Sequence, residues 1–291
     1  MNSESMAAQA DRLAESLLRH GPALVLTGAG CSTASGIPDY RDRNGDWKHS
    51  PPVMFNDFVR NETTRKRYWA GSMNGWPRIQ AARPNPAHHA LSLLERGGFI
   101  HTLLTQNVDG LHPRAGSRSV IELHGNLKSV ICLRCGTKTP RSAIQAQLMK
   151  ANAAFRQAAA AVAPDGDAVP GGLDYDSFET PVCDRCSGIL KPEVVFFGEA
   201  VPRSRTEFSL RALAAAGCLL TAGTSLMVFS GYRYCLEARR RSIPVIAVNL
   251  GHTRADGELD LKIEADCGRL LTAIAERLCP REDHRRQVRS A

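Results

Sequence analysis

Five residues, Ala23-Leu24-Val25-Leu26-Thr27, run directly into Gly28-Ala29-Gly30, and this junction limits the possible folds more than any other stretch. A short apolar run rich in branched side chains is the pattern of a parallel strand covered on both faces. Glycines placed just after it let the backbone turn tightly and come close to a ligand. A helix starting there would aim free N–H groups at an anion. The signal is weak alone, because Thr33 stands where the dinucleotide fingerprint has its third glycine and the next glycine is Gly36. An ordinary strand-to-helix turn and a nucleotide site both stay open at this point. Asp39-Tyr40-Arg41 follows Pro38 and sets an acid, an aromatic ring and a cation side by side, as a loop closing over a charged, ring-bearing ligand needs.

The remaining chain repeats the strand-helix rhythm. The apolar run 99–105 predicts a second strand, ending in Gln106-Asn107-Val108-Asp109. Ligands of open α/β sheets sit beyond the carboxyl ends of the strands. A carboxamide pair beside an acid suits a ligand that is itself an amide, since amides offer donors and acceptors together. Val120 to Gly125 reads as a strand ending at His124, the best placed general base among nine histidines because imidazole titrates near neutral pH. His88, His89, His101 and His112 fall in a helix, a strand or a turn and compete less well. A strand running into a loop is expected at 191–199, with further strands at 218–221, 244–248 and 261–263 and helices at 205–216, 231–241 and 266–278. Their ends, Gly223-Thr224-Ser225 and Asn249-Leu250-Gly251, point to the rim that holds Gly28. The N-terminal segment reads as a helix with Leu13, Leu17 and Leu18 on one face. Residues 53–82 read as short helices with their own aromatic core.

Cys132-x-x-Cys135 and Cys183-x-x-Cys186 provide four thiolates with the spacing of a closed, structural zinc site. A disulfide pair or redox Cys-x-x-Cys is the competing reading. The intervening segment is expected to hold a helix over 142–162 and a loop at 163–167. Cys31, Cys218, Cys235, Cys267 and Cys279 read as small buried residues. The formal charge of +8 collects partly at Arg239-Arg240-Arg241 and in a basic tail at 280–291, without the interleaved aromatics of a single-strand binder, so nucleic acid is not an expected partner. No run of about 18 apolar residues predicts a membrane span. The N-terminus lacks the pattern of a secretory signal, and the thiol content then suits the cytoplasm.

The runs Gly28–Arg41, Thr105–Gly116, Glu122–Gly125, the two cysteine pairs, Val194–Glu199, Gly223–Leu226 and Asn249–Leu250 resemble those of the sirtuins. Arg67-Tyr68-Trp69, Gly75-Trp76-Pro77, the 163–167 loop and Ser230-Gly231-Tyr232-Arg233 are most similar to the class II, mitochondrial sirtuin-four-like branch, in a bacterial-type chain. The resemblance implies an α/β fold: a Rossmann-like NAD-binding unit over 10–52, 84–128 and 192–279, with a smaller part made of a helical module (53–83) and a zinc-ribbon module (129–191).

It also implies an NAD-dependent lysine deacylase that splits NAD to nicotinamide and yields O-acyl-ADP-ribose. Gly28, Ala29, Gly30 and Ser32 would hold the pyrophosphate, and Asp39, Tyr40 and Arg41 the cofactor loop. Gln106, Asn107, Val108 and Asp109 would line the nicotinamide and ribose pocket, with Asn107 and Asp109 acting beside the base His124. Gly223, Thr224, Ser225, Asn249, Leu250, Gly251 and Cys267 would hold the adenosine half. Val194, Val195, Phe196, Phe197 and Gly198, with Ser230 and Gly231, would pair with an extended acyl-lysine peptide by strand addition. Phe196, Phe197 and the aromatics of 55–76 would keep water out. Cys132, Cys135, Cys183 and Cys186 would hold one zinc ion. Acid-acyl-selective sirtuins carry Tyr-x-x-Arg, whereas Tyr68 is followed at that spacing by Gly71, so succinyl or malonyl groups have no support. Mono-ADP-ribosyl transfer and removal of bulky acyl groups such as lipoyl are the alternatives. An NAD-linked dehydrogenase and a nucleic-acid-binding zinc scaffold are the more distant readings, and no obligate protein partner is evident.

Overall fold

The apolar runs become the strands of a parallel sheet in the computed structural model, which describes residues 4–48, 52–156 and 175–280. In chain order these are β1 (Ala23–Thr27), β2 (Ile100–Thr105), β3 (Val120–Glu122), then, after three strands of a smaller sheet, β7 (Cys218–Ala222), β8 (Val245–Val248) and β9 (Leu261–Ile263). The sheet order is β3-β2-β1-β7-β8-β9, and each neighbouring pair is parallel. The chain steps outward from β1 to β3, returns to lie beside β1 as β7, and steps outward the other way. The reversal opens a crevice between the carboxyl ends of β1 and β7, where doubly wound sheets take ligands.

Both faces of the sheet are covered, which is why β1 and β7 are buried along their whole length. Ala23 and Val25 face helices α1 (Met6–His20), α4 (Pro86–Arg96) and α9 (Cys267–Leu278), through Leu13, Leu17, Leu91 and Leu270. Leu24 and Leu26, pointing the other way, meet α7 (Arg203–Ala214) and α8 (Phe229–Arg240) through Leu213 and Tyr234. The α1 stripe is Ala10, Leu13, Ala14 and Leu17, at helical spacing, whereas Leu18 is 63% exposed, contrary to expectation.

A three-stranded antiparallel sheet, β5-β4-β6, forms the smaller part: β4 (Gly125–Cys132), β5 (Lys138–Pro140) and β6 (Leu190–Val194). β6 was expected to rejoin the main sheet. It pairs instead with β4, because Gly125 at the head of β4 meets Val194, so the cysteine module extends to the edge of the site. Helices α2 (Phe55–Arg60), α3 (Glu62–Ala81) and α6 (Arg141–Ala151) pack here around Phe58, Trp69, Met73, Val130, Ile144 and Phe178. Of the short helices expected before residue 82, α2 is one, but residues 62–81 form a single helix of 20 residues that carries Pro77 inside it. Burial of Tyr68, Trp69, Met73 and Ile79 outweighs the single backbone bond a proline removes. The helix expected over 142–162 ends at Ala151, where Asn152 caps it and donates to Leu148 O and Glu179 O. The rest of that stretch beyond residue 156, the 163–167 loop and the tail from 281 lie outside the described residues. Among the described residues, no helix is long and apolar enough to cross a membrane.

Candidate active site

Two glycine turns meet at the sheet's switch point. Gly30 donates to Gly223 O at 2.9 Å and Gly28 to Ala222 O at 3.3 Å. A Cβ on Gly30 would stand 2.9 Å from Gly223 O, so the glycine first serves to bring the β1 and β7 turns together. The α-helix expected to follow this turn is absent: two short 3-10 turns, Ala29–Cys31 and Thr33–Ser35, lead to Gly36 in the left-handed region at φ 80°. Any anion held here would therefore meet the turn itself rather than a helix end.

A cleft of about 670 Å³ opens over this junction and runs to β6. Almost every residue singled out in the sequence lines it: Gly28 to Ser32 with the exception of Cys31, Asp39 to Arg41, Gln106 to Asp109, His124, Val194 to Gly198, Gly223 to Ser225, Ser230, Asn249, Leu250 and Cys267. Gly231 and Gly251 do not line it. They sit behind the wall, Gly231 against the Gln106 side chain and Gly251 against the Arg43 backbone. Of the aromatics at 55–76, only Tyr68 reaches the cleft, and the others fill the core of the smaller part.

The polar side chains at the end of β2 hold one another in place. Asn107 Nδ2 donates to Gly28 O at 2.9 Å and to Ser32 Oγ at 3.0 Å, and Ser32 donates to Asp109 Oδ2 at 2.8 Å. Asp109 Oδ1 also accepts from Leu111 N at 2.8 Å. Burial pushes the Asp109 carboxyl above the ordinary carboxylate range, against these hydrogen bonds, which act the other way. Gln106 Nε2 donates to Thr224 Oγ1 at 2.9 Å and so ties β2 to the β7 turn.

His124 sits where the two sheets join. Its Nδ1 lies 3.0 Å from Gln106 O, and a carbonyl only accepts, so Nδ1 carries the proton. Nε2 is then the acceptor, and the Ser230 hydroxyl donates to it at 2.8 Å. Burial draws the imidazole down to about 4, with Arg205 adding to the effect and the Gln106 carbonyl opposing it. At neutral pH the ring is neutral, with its proton on Nδ1 and its Nε2 lone pair taking the Ser230 hydroxyl. Gly125, at φ 79° and with a Cβ position 2.0 Å from Glu193 O, can only be glycine, and it lets β4 leave immediately after His124.

A loop and a strand close the cleft mouth. Arg41 stacks 3.9 Å over the Trp47 ring and donates to Gly45 O at 2.6 Å. Tyr40, Trp47 and Phe197 form a triad with centroids 5.6–6.0 Å apart. The loop expected to cover the cofactor thus rests on the segment expected to take the peptide. Below that segment, buried Lys191 donates to Glu199 Oε2 at 2.9 Å and to Val194 O, while Phe196 N donates to the same carboxylate oxygen at 2.8 Å.

The four knuckle cysteines converge. Cys132 and Cys186 Sγ are 3.5 Å apart, and Cys135 and Cys183 Sγ 3.7 Å apart. All four sulfurs lie within 4.8 Å of one another. Tetrahedral zinc with Zn–S of about 2.3 Å places sulfurs about 3.8 Å apart, so the donor set fits that ion. A disulfide between the pairs would need sulfurs at about 2.05 Å.

Several contacts were not legible in the chain. Ser230 as partner of His124, Trp47 under Arg41 and Arg205 near His124 have no local motif. Cys31, His88 and His112, each assigned elsewhere, come together in the core, the two rings 4.6 Å apart. The rings do carry a signal: Asn85 begins a capping box that uses His88 Nδ1, and His112 Nε2 lies 2.9 Å from Thr27 Oγ1, so both support the β1 and β2 ends.

The Sir2 family profile matches residues 28–230. The chain belongs to the Sir2 family. It is 54% identical to an NAD-dependent protein deacetylase 2 from Bradyrhizobium diazoefficiens, over 88% of this chain and 93% of that protein. It is 46% identical to the mitochondrial NAD-dependent protein lipoamidase sirtuin-4 of Bos taurus, over 87% and 82%. A solved Sir2 structure with a p53 peptide and NAD+ superposes with a TM-score of 0.72 at 30% identity, over 90% of this chain and 96% of that one. Sirtuin membership and the Rossmann-like architecture with a smaller, cysteine-bearing sheet agree with the sequence reading. This sirtuin is an NAD-dependent deacylase, with NAD as co-substrate and a four-thiol site suited to one structural zinc ion.

Proposed function

We propose that this sirtuin removes acyl groups from lysine side chains of proteins, taking NAD at the β1–β7 crevice and the acyl-lysine peptide between Val194–Gly198 and Ser230. The observation that carries this is His124: a neutral imidazole, protonated on Nδ1, set in a cleft that joins strand-end turns to the segment after β6. NAD, when bound, supplies an activated glycosidic bond whose cleavage releases nicotinamide. The chain's own residues do the rest. Asn107 and Asp109, already fixed on Ser32, present amide and carboxyl groups of set orientation. His124 Nε2 takes a proton from a hydroxyl that displaces the Ser230 hydroxyl from it, while Nδ1–H stays on Gln106 O. Tyr40, Trp47, Phe196 and Phe197 keep water from the mouth until the acyl oxygen has reacted.

The reading places the enzyme in the cytoplasm, because four thiolate ligands and the other free cysteines need a reducing compartment. ADP-ribosyl transfer and removal of longer acyl groups are the competing activities, the second motivated by the bovine relative. Incubation with NAD and a panel of acylated lysine peptides, read by mass, should show nicotinamide, free lysine and O-acyl-ADP-ribose. Label from NAD retained on the acceptor protein would move the assignment to ADP-ribosyl transfer.

A further inference from the structure

We propose that Arg233 makes this enzyme selective for acyl-lysines that have an aspartate or glutamate nearby in the same substrate chain. The inference rests on the deacylase reading above and deepens it. Ser230 and Arg233 are three residues apart in α8 and so lie on one face of the helix. Ser230 reaches the base at 2.8 Å, and Arg233 lines the same cleft further along the rim. Phe229, one residue before Ser230, is 51% exposed and also lines the cleft. The Arg233 guanidinium lies 5.3 Å from the Phe229 ring centre, and Arg254 lies 5.9 Å from it and 4.6 Å from the Tyr232 ring.

The other arginines of α8 are paired with carboxylates, and Arg233 is not. Arg239 pairs with Asp260, Arg240 and Arg241 with Glu237, Arg203 with Glu207, and Arg277 with Asp11. Neither Arg233 nor Arg254 has a carboxylate partner among the described residues. Glu258 accepts only from the Tyr232 hydroxyl, at 3.5 Å. Arg254 donates to Met227 O at 3.1 Å and so helps hold the segment before α8, which leaves Arg233 as the reader. A guanidinium stacked on an aromatic ring keeps its in-plane N–H groups free for a carboxylate, which it can take with two parallel hydrogen bonds. An extended peptide that places its acyl-lysine at His124 brings its neighbouring side chains to this rim.

Steady-state deacylation of acetyl-lysine peptides tests this, with Asp, Ala or Lys placed in turn at each of the three positions on either side of the acetyl-lysine. The wild type should favour Asp over Lys about tenfold in kcat/KM at one or two of these positions, through KM, and lose the preference in high salt. Arg233→Ala should bring the Asp-to-Lys ratio close to one, and Arg233→Glu should invert it. Arg239→Ala, whose charge is already paired, should leave the ratio as in the wild type. Equal rates on Asp and Lys peptides in the wild type, or a ratio unmoved in Arg233→Ala while both enzymes release nicotinamide, would overturn the proposal. Absence of nicotinamide release on every peptide would instead overturn the deacylase reading.

Discussion

His124 shows how much of the chemistry is set around a single side chain. Its proton affinity is low because burial penalises the imidazolium, and the Nδ1–H bond to Gln106 O recovers only part of that. An imidazole drawn down to about 4 is already neutral at pH 7, so in the proposed role it needs no prior titration, though it is a weaker base for it. The sign of the pH effect follows. Activity should be lost only on the acid side, and kcat/KM, which reports the free enzyme, should stay level down to about pH 5.5 rather than fall through the ordinary imidazole value near 6.5. His124→Ala should lower turnover by ~10²–10⁴ and leave NAD affinity unchanged. Nicotinamide release across pH and calorimetric NAD titration check both statements. An acid limb centred near 6.5 would mean that burial does not govern the base in the working enzyme. Undiminished deacylation by the alanine variant would remove His124 from that role.

At the scale of elements, β6 and the loop after it depend on a buried ion pair. The Lys191 side chain is 4% exposed, and its ammonium is held between Glu199 and Val194 O, near the Phe196 ring. Burial draws the Lys191 pKa down, and Glu199 opposes that shift. Removing only the acid leaves a cation stranded in the core, which costs about 3–5 kcal/mol, whereas replacing both partners with neutral groups of similar size costs much less. Glu199→Gln should therefore unfold at clearly lower urea than Lys191→Met/Glu199→Gln, and the double-mutant cycle should show strong coupling. Additive effects would show that the pair does not hold this segment. The same region marks where the sequence stops being legible. β1, β7 and β8 stand out because they are buried on every residue, so hydrophobicity alone reveals them. β4 alternates buried and part-exposed residues, including Lys128 and Ser129, and its partner β6 lies far along the chain, so no local pattern announces the pair. Likewise Gln106, Asn107 and His124 were readable because strand ends place them, while Ser230 and Trp47 matter only through contacts that the tertiary fold creates.

Across the whole molecule, the cysteine cluster and His124 are connected through the small sheet. β4 runs from Gly125, next to His124, to Cys132, and β6 returns from Leu190 to Val194, after which Val195 N donates to His124 O at 2.8 Å. Cys132 and Cys183 also belong to the core of the smaller part, so an ion joining the four thiolates would fix both ends of that core. The parallel sheet has separate cores on its two faces and needs none of these residues. Zinc removal should therefore act unevenly. A chelator, or Cys132→Ser, should release one zinc per chain and abolish the hydrogen-exchange protection of β4 and β6, whose amides should then exchange fast. The amides of β1, β7 and β8 should stay protected in the same sample. Deacylation should fall with the loss of β4 and β6 order, because His124 and Phe196 sit at their ends, and zinc added back to the chelated wild type should restore both. If β4 and β6 kept their protection in a zinc-free, active enzyme, the four thiols would not be the support on which the catalytic edge stands.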